Sequence, residues 1–245
     1  MYLNKHKFAV VTPLANESES FEAFTSSLQS VLDSIGYGTV YLVVDNASKD
    51  NTLELCKKLS KRDNRFITVW APENKNVVDA YIRGYREAIK KDYQYIIEMD
   101  AGLSHDPKAL PMFLRVLNEG NDCVFGSRFI HGGSIQDSSF KRIFLSKIGT
   151  ILSNVFLGTK MYDMTSGYQG FSRDIVEKLL NYKLLSKAHF YQTEIRYLLR
   201  KTRWAEVPIH YVSPSPRVSR EAIKNSLSVL FHYIVLRILS KSPAI

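Results

Sequence analysis

The sequence of 245 residues contains only two cysteines, Cys56 and Cys123, and neither has neighbours at the spacing of a metal site or a redox motif. We therefore expect two small buried thiols in a reducing compartment. No apolar run approaches the roughly 18–20 residues that span a bilayer, and the first seven residues, MYLNKHK, lack the apolar region of a signal peptide. These absences predict a cytoplasmic protein whose only membrane contact would be peripheral, at its surface.

The sequence also lacks both glycine-rich loops that commonly cradle phosphates: no GxGxxG follows the first apolar segment, and GxxxxGK[ST] does not occur. A bound nucleoside diphosphate would therefore have to be neutralised by a divalent cation and by Arg or Lys side chains. Lys and Arg total 33 against 24 Asp and Glu, a net charge of +9. This excess favours an anionic partner, either a nucleotide, a lipid phosphate, a membrane or a nucleic acid, although a basic surface that only keeps the protein soluble is the alternative.

Short apolar segments and segments of helical periodicity alternate through the first half of the chain. Strands are predicted at residues 8–11, 40–44, 66–70, 95–99 and 123–125, with helices at 21–35, 51–60 and 77–90 and one more helix after Pro107. Beyond Gly126 the pattern predicts a loop at 127–139, helices at 140–157, 175–180 and 190–200, and strands at 165–171 and 204–211. Such alternation is typical of an α/β domain with a mostly parallel sheet and helices on both faces.

Polar residues gather where the predicted strands end, which is where an open parallel sheet binds ligands. Asp45 and Asp100 each follow an apolar strand directly. Helix capping would account for Ser48, Asp50 and Asp106, but not for these two aspartates. We therefore predict a ligand site at this edge, with Asp100 placed to offer a carboxylate to a hard cation.

Six segments, in order, carry a resemblance to a known family: TPLANE at 12–17, VDNASKDNT at 44–52, MDAGLSHDP at 99–107, GSRFIHGG at 126–133, DMTSGYQGF at 163–171 and AEVPIHY at 205–211. The sequence resembles the family-two glycosyltransferases of GT-A fold, closest to the branch of dolichol-phosphate mannosyltransferases and polyprenyl-phosphate glycosyltransferases. The resemblance runs from about residue 8 to residue 220. It implies a nucleotide-diphospho-sugar transferase domain over residues 1–220, followed by a C-terminal helical segment at 221–245.

The resemblance implies a role for individual residues. Nucleotide-sugar contacts correspond to Pro13, Asn16, Glu17, Asp45, Ser48 and Asp100. Asp100 also matches the first aspartate of the Asp-x-Asp motif that binds Mg²⁺ or Mn²⁺. Contacts to an acceptor phosphate correspond to Ser127, Arg128, Ser219 and Arg220, with Arg217 standing in for an arginine expected near residues 214–215. Asp163 and Glu194 lie where the family has carboxylates beside the acceptor.

The sequence departs from the family pattern at three places, one of which is the arginine missing near residues 214–215. Gly102 stands where the second metal-binding aspartate is usual, so metal dependence is an open question; Glu98 could help only if the strand end exposes it. Gln169 replaces a usual arginine, which weakens the expectation of a phosphate-bearing lipid acceptor.

These observations predict an inverting glycosyltransferase that uses a UDP- or GDP-sugar and acts on a polyprenyl or dolichyl phosphate or on a glycan hydroxyl. A hydroxyl acceptor would need a general base, for which Asp163 and Glu194 are the candidates. A sugar-nucleotide-binding protein without catalysis, or a nucleic-acid-binding module, are the alternatives. The apolar stripe of the C-terminal helix predicts contact with a membrane surface, with the domain, or with a second subunit in a homo-oligomer.

Overall fold

Strands and helices alternate along residues 7–137, 140–212 and 219–245, the parts of the chain that the computed structural model describes. The strands are β1 (Phe8–Leu14), β2 (Thr39–Val44), β3 (Phe66–Trp70), β4 (Tyr95–Glu98), β5 (Cys123–Ser127), β6 (Ser134–Gln136), β7 (Gln169–Ser172), β8 (Trp204–Pro208) and β9 (His210–Val212). The helices are α1 (Phe21–Ile35), α2 (Thr52–Arg62), α3 (Val77–Ile89), α4 (Leu110–Asn118), α5 (Phe140–Leu157), α6 (Arg173–Asn181), α7 (Tyr191–Leu198) and α8 (Arg220–Ile238).

One sheet of seven strands, in the order β3-β2-β1-β4-β7-β5-β8, organises the fold. Its neighbouring pairs are parallel except the two that β7 makes with β4 and β5. Strands β1 and β2 are almost wholly buried, because an apolar core lies on each face of the sheet. A strand covered on both faces has no polar alternation. The predicted mostly parallel sheet flanked by helices is confirmed.

Strand β7 runs against its neighbours and therefore begins at the edge where they end. Gln169, its first residue, pairs with Glu98 at the end of β4 and with Phe125 near the end of β5. Residues 163–168, which precede β7, consequently emerge at the same edge as the residues that follow β4 and β5. The reversal of one strand thus adds a further segment to the carboxyl edge of the sheet.

Helix α3 packs directly against β1 at Gly84, where a Cβ atom would lie 2.2 Å from Val11 Cγ1. A separation this short excludes any side chain, so glycine sets the closeness of the helix to the sheet. The helix begins at a side-chain cap, since Asn76 Oδ1 accepts hydrogen bonds from the N–H groups of Val78 and Asp79.

The structure differs most from the sequence prediction in three regions. The predicted loop at 127–139 contains β6, which pairs in parallel with β9. The predicted strand at 204–211 is two strands, because β8 pairs with β5 and ends at Pro208, whereas β9 pairs with β6 in a second, two-stranded sheet. The predicted strand at 165–171 begins only at Gln169.

Helix α8 packs one side against the domain. The rings of Tyr233 and Tyr197 lie 4.9 Å apart, and the backbone N–H of Ile245, beyond the helix, donates to the Leu198 carbonyl oxygen. Residues 221–245 are therefore attached to the domain over much of their length.

Candidate active site: two cavities that meet at Asp100

A first cavity, of about 550 Å³, opens at the carboxyl ends of β1, β2 and β4. Of the predicted nucleotide-sugar residues it brings together Pro13, Glu17, Asp45 and Asp100. The start of α3 forms the opposite wall, with Lys75 as its cation and Tyr81 on its first turns. Carboxylates, one lysine and backbone groups around a space of this size suit a nucleotide with its diphosphate. We call this space the donor cavity.

The other two predicted donor residues lie outside the lining of the donor cavity and shape its loops. Asn16 donates from Nδ2 to the Ala47 carbonyl oxygen (3.1 Å) and accepts at Oδ1 from the Lys49 N–H (2.8 Å). The Ser48 hydroxyl accepts from the Asn16 N–H and donates to Asp50. These hydrogen bonds join the loop after β1 to the loop after β2. Asn16 and Ser48 therefore position Glu17 and Asp45 without lining the cavity themselves.

Asp100 is held by two neighbours and still reaches solvent. The Tyr81 hydroxyl donates to Asp100 Oδ1 at 2.5 Å, and the Asp100 backbone N–H donates to His105 Nδ1 at 3.0 Å. The Asp100 side chain is 38% exposed, whereas His105 is fully buried and stacks on Tyr168. Burial lowers the pKa of His105, so the ring is neutral near pH 7 and carries its proton on Nε2. An oriented and accessible carboxylate is what a cation site at this position requires.

Glu98, the last residue of β4, does not line the donor cavity. It is fully buried, and its oxygens accept hydrogen bonds from the hydroxyls of Tyr85 and Tyr191 (the latter 3.1 Å) and from Gln169 Nε2 (2.8 Å). Burial raises its pKa to about 7, against the opposite effect of these three bonds. The strand end does not expose Glu98, so it cannot replace the aspartate missing at position 102. Gln169, which departs from the family pattern, is its partner.

A second cavity, of about 700 Å³, adjoins the first and shares Val77, Asp100, His189 and Gln192 with it. Among the described residues that line it, the cations are Arg128 and Lys187, and Asp100 is the only carboxylate. A space with this charge balance suits an anionic group such as a phosphate. We call it the acceptor cavity.

Arg128 is fixed by Asp163. Its Nε and Nη2 atoms donate to the two carboxylate oxygens at 2.7 and 2.9 Å, and Nη2 also donates to the Thr165 hydroxyl at 2.6 Å. Burial alone would raise the pKa of Asp163, but the charge and hydrogen bonds of Arg128 hold it down to about 2. Asp163 therefore orients Arg128 and is a poor proton acceptor. Among the described residues, Arg128 Nη1 has no hydrogen-bond partner and is left for a ligand.

Residues 9–180 match the family described as Glycosyl transferase family 2, which is more than two thirds of the chain. The chain belongs to glycosyltransferase family 2. It is therefore an enzyme of the class that the sequence predicted.

Among curated proteins, this family 2 glycosyltransferase is similar to three named mannosyltransferases or mannose synthases. It is 28% identical over 225 residues to the polyprenol monophosphomannose synthase of Mycolicibacterium smegmatis, covering 91% of the chain and 83% of that protein. It is 29% identical over 204 residues to the undecaprenyl-phosphate mannosyltransferase of Micrococcus luteus, covering 82% of each. It is 30% identical over 173 residues to the dolichol-phosphate mannosyltransferase of Pyrococcus furiosus, covering 70% of the chain and 47% of that protein.

Among solved structures, the glycosyltransferase is similar in fold to glucosyl-3-phosphoglycerate synthase from Mycobacterium tuberculosis. The complex of that protein with Mn²⁺, UDP-glucose and phosphoglyceric acid has a TM-score of 0.65 at 16% identity, covering 97% of the chain and 80% of that protein. Its complex with Mg²⁺ and UDP has a TM-score of 0.61 at 17% identity, covering 97% and 79%. The comparison establishes the GT-A fold.

Two predicted acceptor residues of the glycosyltransferase, Ser127 and Arg220, do not line the acceptor cavity. Ser127 is fully buried and is not among the residues lining either cavity, so the prediction that it contacts phosphate is not supported. Ser219 does line the acceptor cavity, and its hydroxyl caps α8 by accepting from the Ala222 N–H. Arg220 begins α8 but does not line the cavity, and Arg217 falls outside the described residues.

Glu194 is not placed to act as the predicted general base. It is fully buried, and its oxygens accept from the backbone N–H groups of Leu185 and Ser186 (both 2.8 Å) and from the Tyr233 hydroxyl (2.7 Å). Every residue of α7 is buried, so Glu194 does not face solvent. Glu194 joins α7, the loop before it and α8.

The sequence did not point to Arg196, whose side chain holds in place the backbone segment that borders the acceptor cavity. It is fully buried, donates to the carbonyl oxygens of Asp163 and Ser166 (the latter 2.9 Å), and lies over the Phe125 ring at 4.6 Å. Burial lowers its pKa to about 10, so it remains a cation near pH 7. Its guanidinium fixes the segment that carries Asp163 and Thr165.

Helices α5 and α8 border the acceptor cavity and carry exposed apolar side chains. These are Phe140, Phe144, Leu145, Ile151 and Val155 of α5, and Ile223, Leu227, Phe231 and Ile238 of α8. Leu145 also lines the cavity. No helix within the described residues is both long and apolar enough to cross a bilayer.

Proposed function

We propose that this glycosyltransferase moves mannose, with inversion, from a nucleoside diphosphate donor to a polyprenyl phosphate at the cytoplasmic face of a membrane. The observation that carries the proposal is the meeting of two cavities of opposite character at Asp100. The donor cavity is lined mainly by carboxylates, on loops that hydrogen-bond to each other, whereas the acceptor cavity is lined by cations. The names of the three curated relatives support the same donor sugar and acceptor class.

The state of the carboxylates favours a phosphate acceptor over a sugar hydroxyl. A hydroxyl needs a general base near it, but Asp163 is held by Arg128 and Glu194 is buried in other contacts. A phosphate monoester, with a second pKa near 6, is already ionised at neutral pH. Its oxygen can attack the anomeric carbon without losing a proton, while the bond from that carbon to the diphosphate breaks on the opposite side. Arg128 and Lys187 would bind and orient the attacking phosphate.

A divalent cation fits the donor cavity. Among the described residues, no group of three or more His, Cys, Asp or Glu side chains could hold a metal ion alone, so donor diphosphate oxygens and water would complete its coordination around Asp100. Bound there, Mg²⁺ or Mn²⁺ would neutralise charge on the departing diphosphate. Lys75, on the opposite wall, would contact the same anion.

The exposed apolar side chains of α5 and α8 suit the hydrocarbon of a lipid acceptor. Lys147 and Lys224, both exposed, lie on the same two helices. Apolar side chains with flanking lysines bind an anionic bilayer surface. The polyprenyl chain would remain in the membrane while its phosphate enters the acceptor cavity between the helices.

Transfer of labelled mannose from GDP-mannose to polyprenyl phosphate in detergent, compared with the unphosphorylated polyprenol, tests the acceptor. Lys187→Ala should raise the KM for polyprenyl phosphate about fivefold or more, because a charge-assisted contact is lost, whereas Lys183→Ala, outside the cavity, should not. Equal transfer to the alcohol, or equal KM values in both variants, would contradict the phosphate acceptor.

Thermal shifts with GDP- and UDP-sugars test the donor, since a ligand stabilises the native state in proportion to RT ln(1 + [L]/Kd). Asp45→Ala should abolish the shift given by the true donor. Asp100→Ala should remove only the part that depends on Mn²⁺. Unchanged shifts in both variants would show that the donor binds elsewhere.

A further inference from the structure

Gly102 stands where the family usually has its second metal-binding aspartate, and its backbone conformation explains why no side chain is present there. Its φ of +73° is a left-handed conformation that side chains disfavour. A Cβ atom at this position would lie 2.8 Å from Glu17 Oε2 and 3.4 Å from Glu17 Oε1. The carboxylate of Glu17, which arrives from the loop after β1, therefore occupies the space into which a side chain at position 102 would extend.

Glu17 is oriented and still has a free oxygen. Its Oε2 accepts from the Ser20 hydroxyl at 2.6 Å, and its backbone N–H donates to the Thr52 hydroxyl at 2.9 Å. Within the described part of the chain, Oε1 has no hydrogen-bond partner. Glu17 and Asp100 line the same donor cavity, so two carboxylates from different loops face one space.

A second observation at Asp100 points to a ligand. His105 Nε2 is buried without a hydrogen-bond partner and lies 3.7 Å from Asp100 Oδ2. Nδ1 accepts from the Asp100 N–H, so Nε2 bears the proton. An orphaned N–H in a buried place is costly. His105 lines the acceptor cavity beside Asp100, so this N–H is placed to donate to the Asp100 carboxylate, or to a ligand oxygen next to it, when the site is filled.

We propose that Glu17 supplies the second carboxylate to the divalent cation that Asp100 and the donor diphosphate hold, in place of the aspartate missing at position 102. The proposal rests on the proposed function, since the diphosphate is one of the cation's ligands. One oxygen from each carboxylate, with diphosphate oxygens and water, gives the all-oxygen set that Mg²⁺ and Mn²⁺ prefer.

Electron paramagnetic resonance of free Mn²⁺ measures cation binding directly, without turnover, in the presence of saturating GDP or UDP. Glu17→Gln should weaken Mn²⁺ binding about tenfold or more, the scale of losses around metal ligands. Glu19→Gln is the matched control, because Glu19 is an exposed carboxylate in the same loop and its loss should leave Mn²⁺ affinity unchanged. Nucleotide binding in EDTA is measured on the same variants, and Glu17→Gln should lose much less affinity for nucleotide there than it loses for Mn²⁺.

A relocated carboxylate tests the geometry. Glu17→Ala should lose Mn²⁺ affinity, and adding Gly102→Asp in that background should restore most of it, since removal of the Glu17 side chain clears the space and aspartate tolerates positive φ better than most residues. Mn²⁺ affinity unaffected by Glu17→Gln, or equally affected by Glu19→Gln, would overturn the inference. A loss of nucleotide affinity in EDTA on Glu17→Gln as large as the loss of Mn²⁺ affinity would overturn it too. Wild-type protein that binds no nucleotide would instead overturn the proposed function.

Discussion

Replacing Glu98 by glutamine should remove a large part of the pH dependence of stability. The buried carboxylate is surrounded by Tyr85, Tyr191 and Gln169, and glutamine has nearly the same shape. The side-chain N–H of the new glutamine can donate to Gln169, because Gln169 Oε1 is a buried oxygen without a hydrogen-bond partner. A rotated Gln169 amide would therefore accept from it.

The sign and size of the effect follow from the pKa of Glu98, which burial raises from 4.5 to about 7. Since the folded protein holds this proton more tightly than the unfolded chain, the stabilisation is fully present below pH 4.5 and is lost as the pH rises through 7. The difference between the folded and unfolded pKa values corresponds to about 3 kcal/mol in the free energy of unfolding, at about 1.36 kcal/mol for each pKa unit. Between pH 5 and pH 8 the wild-type protein should lose about 2.5 kcal/mol through this group.

Urea unfolding in EDTA buffer at pH 5, 6, 7 and 8 measures the effect on the free energy of unfolding. From pH 5 to pH 8 the free energy of unfolding of Glu98→Gln should increase relative to that of the wild type by about 2.5 kcal/mol. The control Glu19→Gln should follow the wild-type profile. Parallel curves for wild type and Glu98→Gln would refute the argument that a buried proton is held at this site.

Three further substitutions test other parts of the site. Asp163→Asn leaves the Arg128 charge buried without its partner and should lower the free energy of unfolding by about 3–5 kcal/mol in urea titrations; a loss below 1 kcal/mol would contradict it. Glu194→Gln turns an amide N–H toward a backbone N–H and should cost about 1–3 kcal/mol; loss of turnover at unchanged stability would instead support the general-base prediction. Phe231→Glu should weaken sedimentation with anionic vesicles about tenfold or more, since a buried Phe side chain contributes about 1.5–3 kcal/mol, while thermal stability stays as in wild type; unchanged sedimentation would move the membrane contact elsewhere.

The first half of the fold could be predicted from sequence because burial on both faces leaves a direct pattern. Strand β2 reads as an apolar run, and the predicted range of α1 coincides with the observed one. Strand β6 could not be predicted, because its three residues are half-buried or exposed and carry no apolar run. Strand β9, with which it pairs, is more than 70 residues away in the sequence.

The same distinction applies to the site. Asp45 and Asp100 could be found because each follows a buried strand, so their place was fixed by the sheet. Lys187 lies in a loop, and a loop has no periodicity from which its position could be predicted. Glu194 was a candidate general base because the sequence does not show that α8 covers α7. The Glu17 carboxylate lies in the space beside position 102 because two loops whose residues are 85 positions apart meet there, a relation that only the three-dimensional structure reveals.

The reversed strand β7 has a consequence for synthesis on the ribosome. Strands β1 to β4 can pair as soon as residue 98 has emerged, but β4 then has an unpaired edge until Ser172 follows. An open edge of this kind is a template for pairing with other chains. Nascent chains that stop between these two points should therefore be the ones that aggregate, and chaperone demand during translation should fall once β7 has inserted.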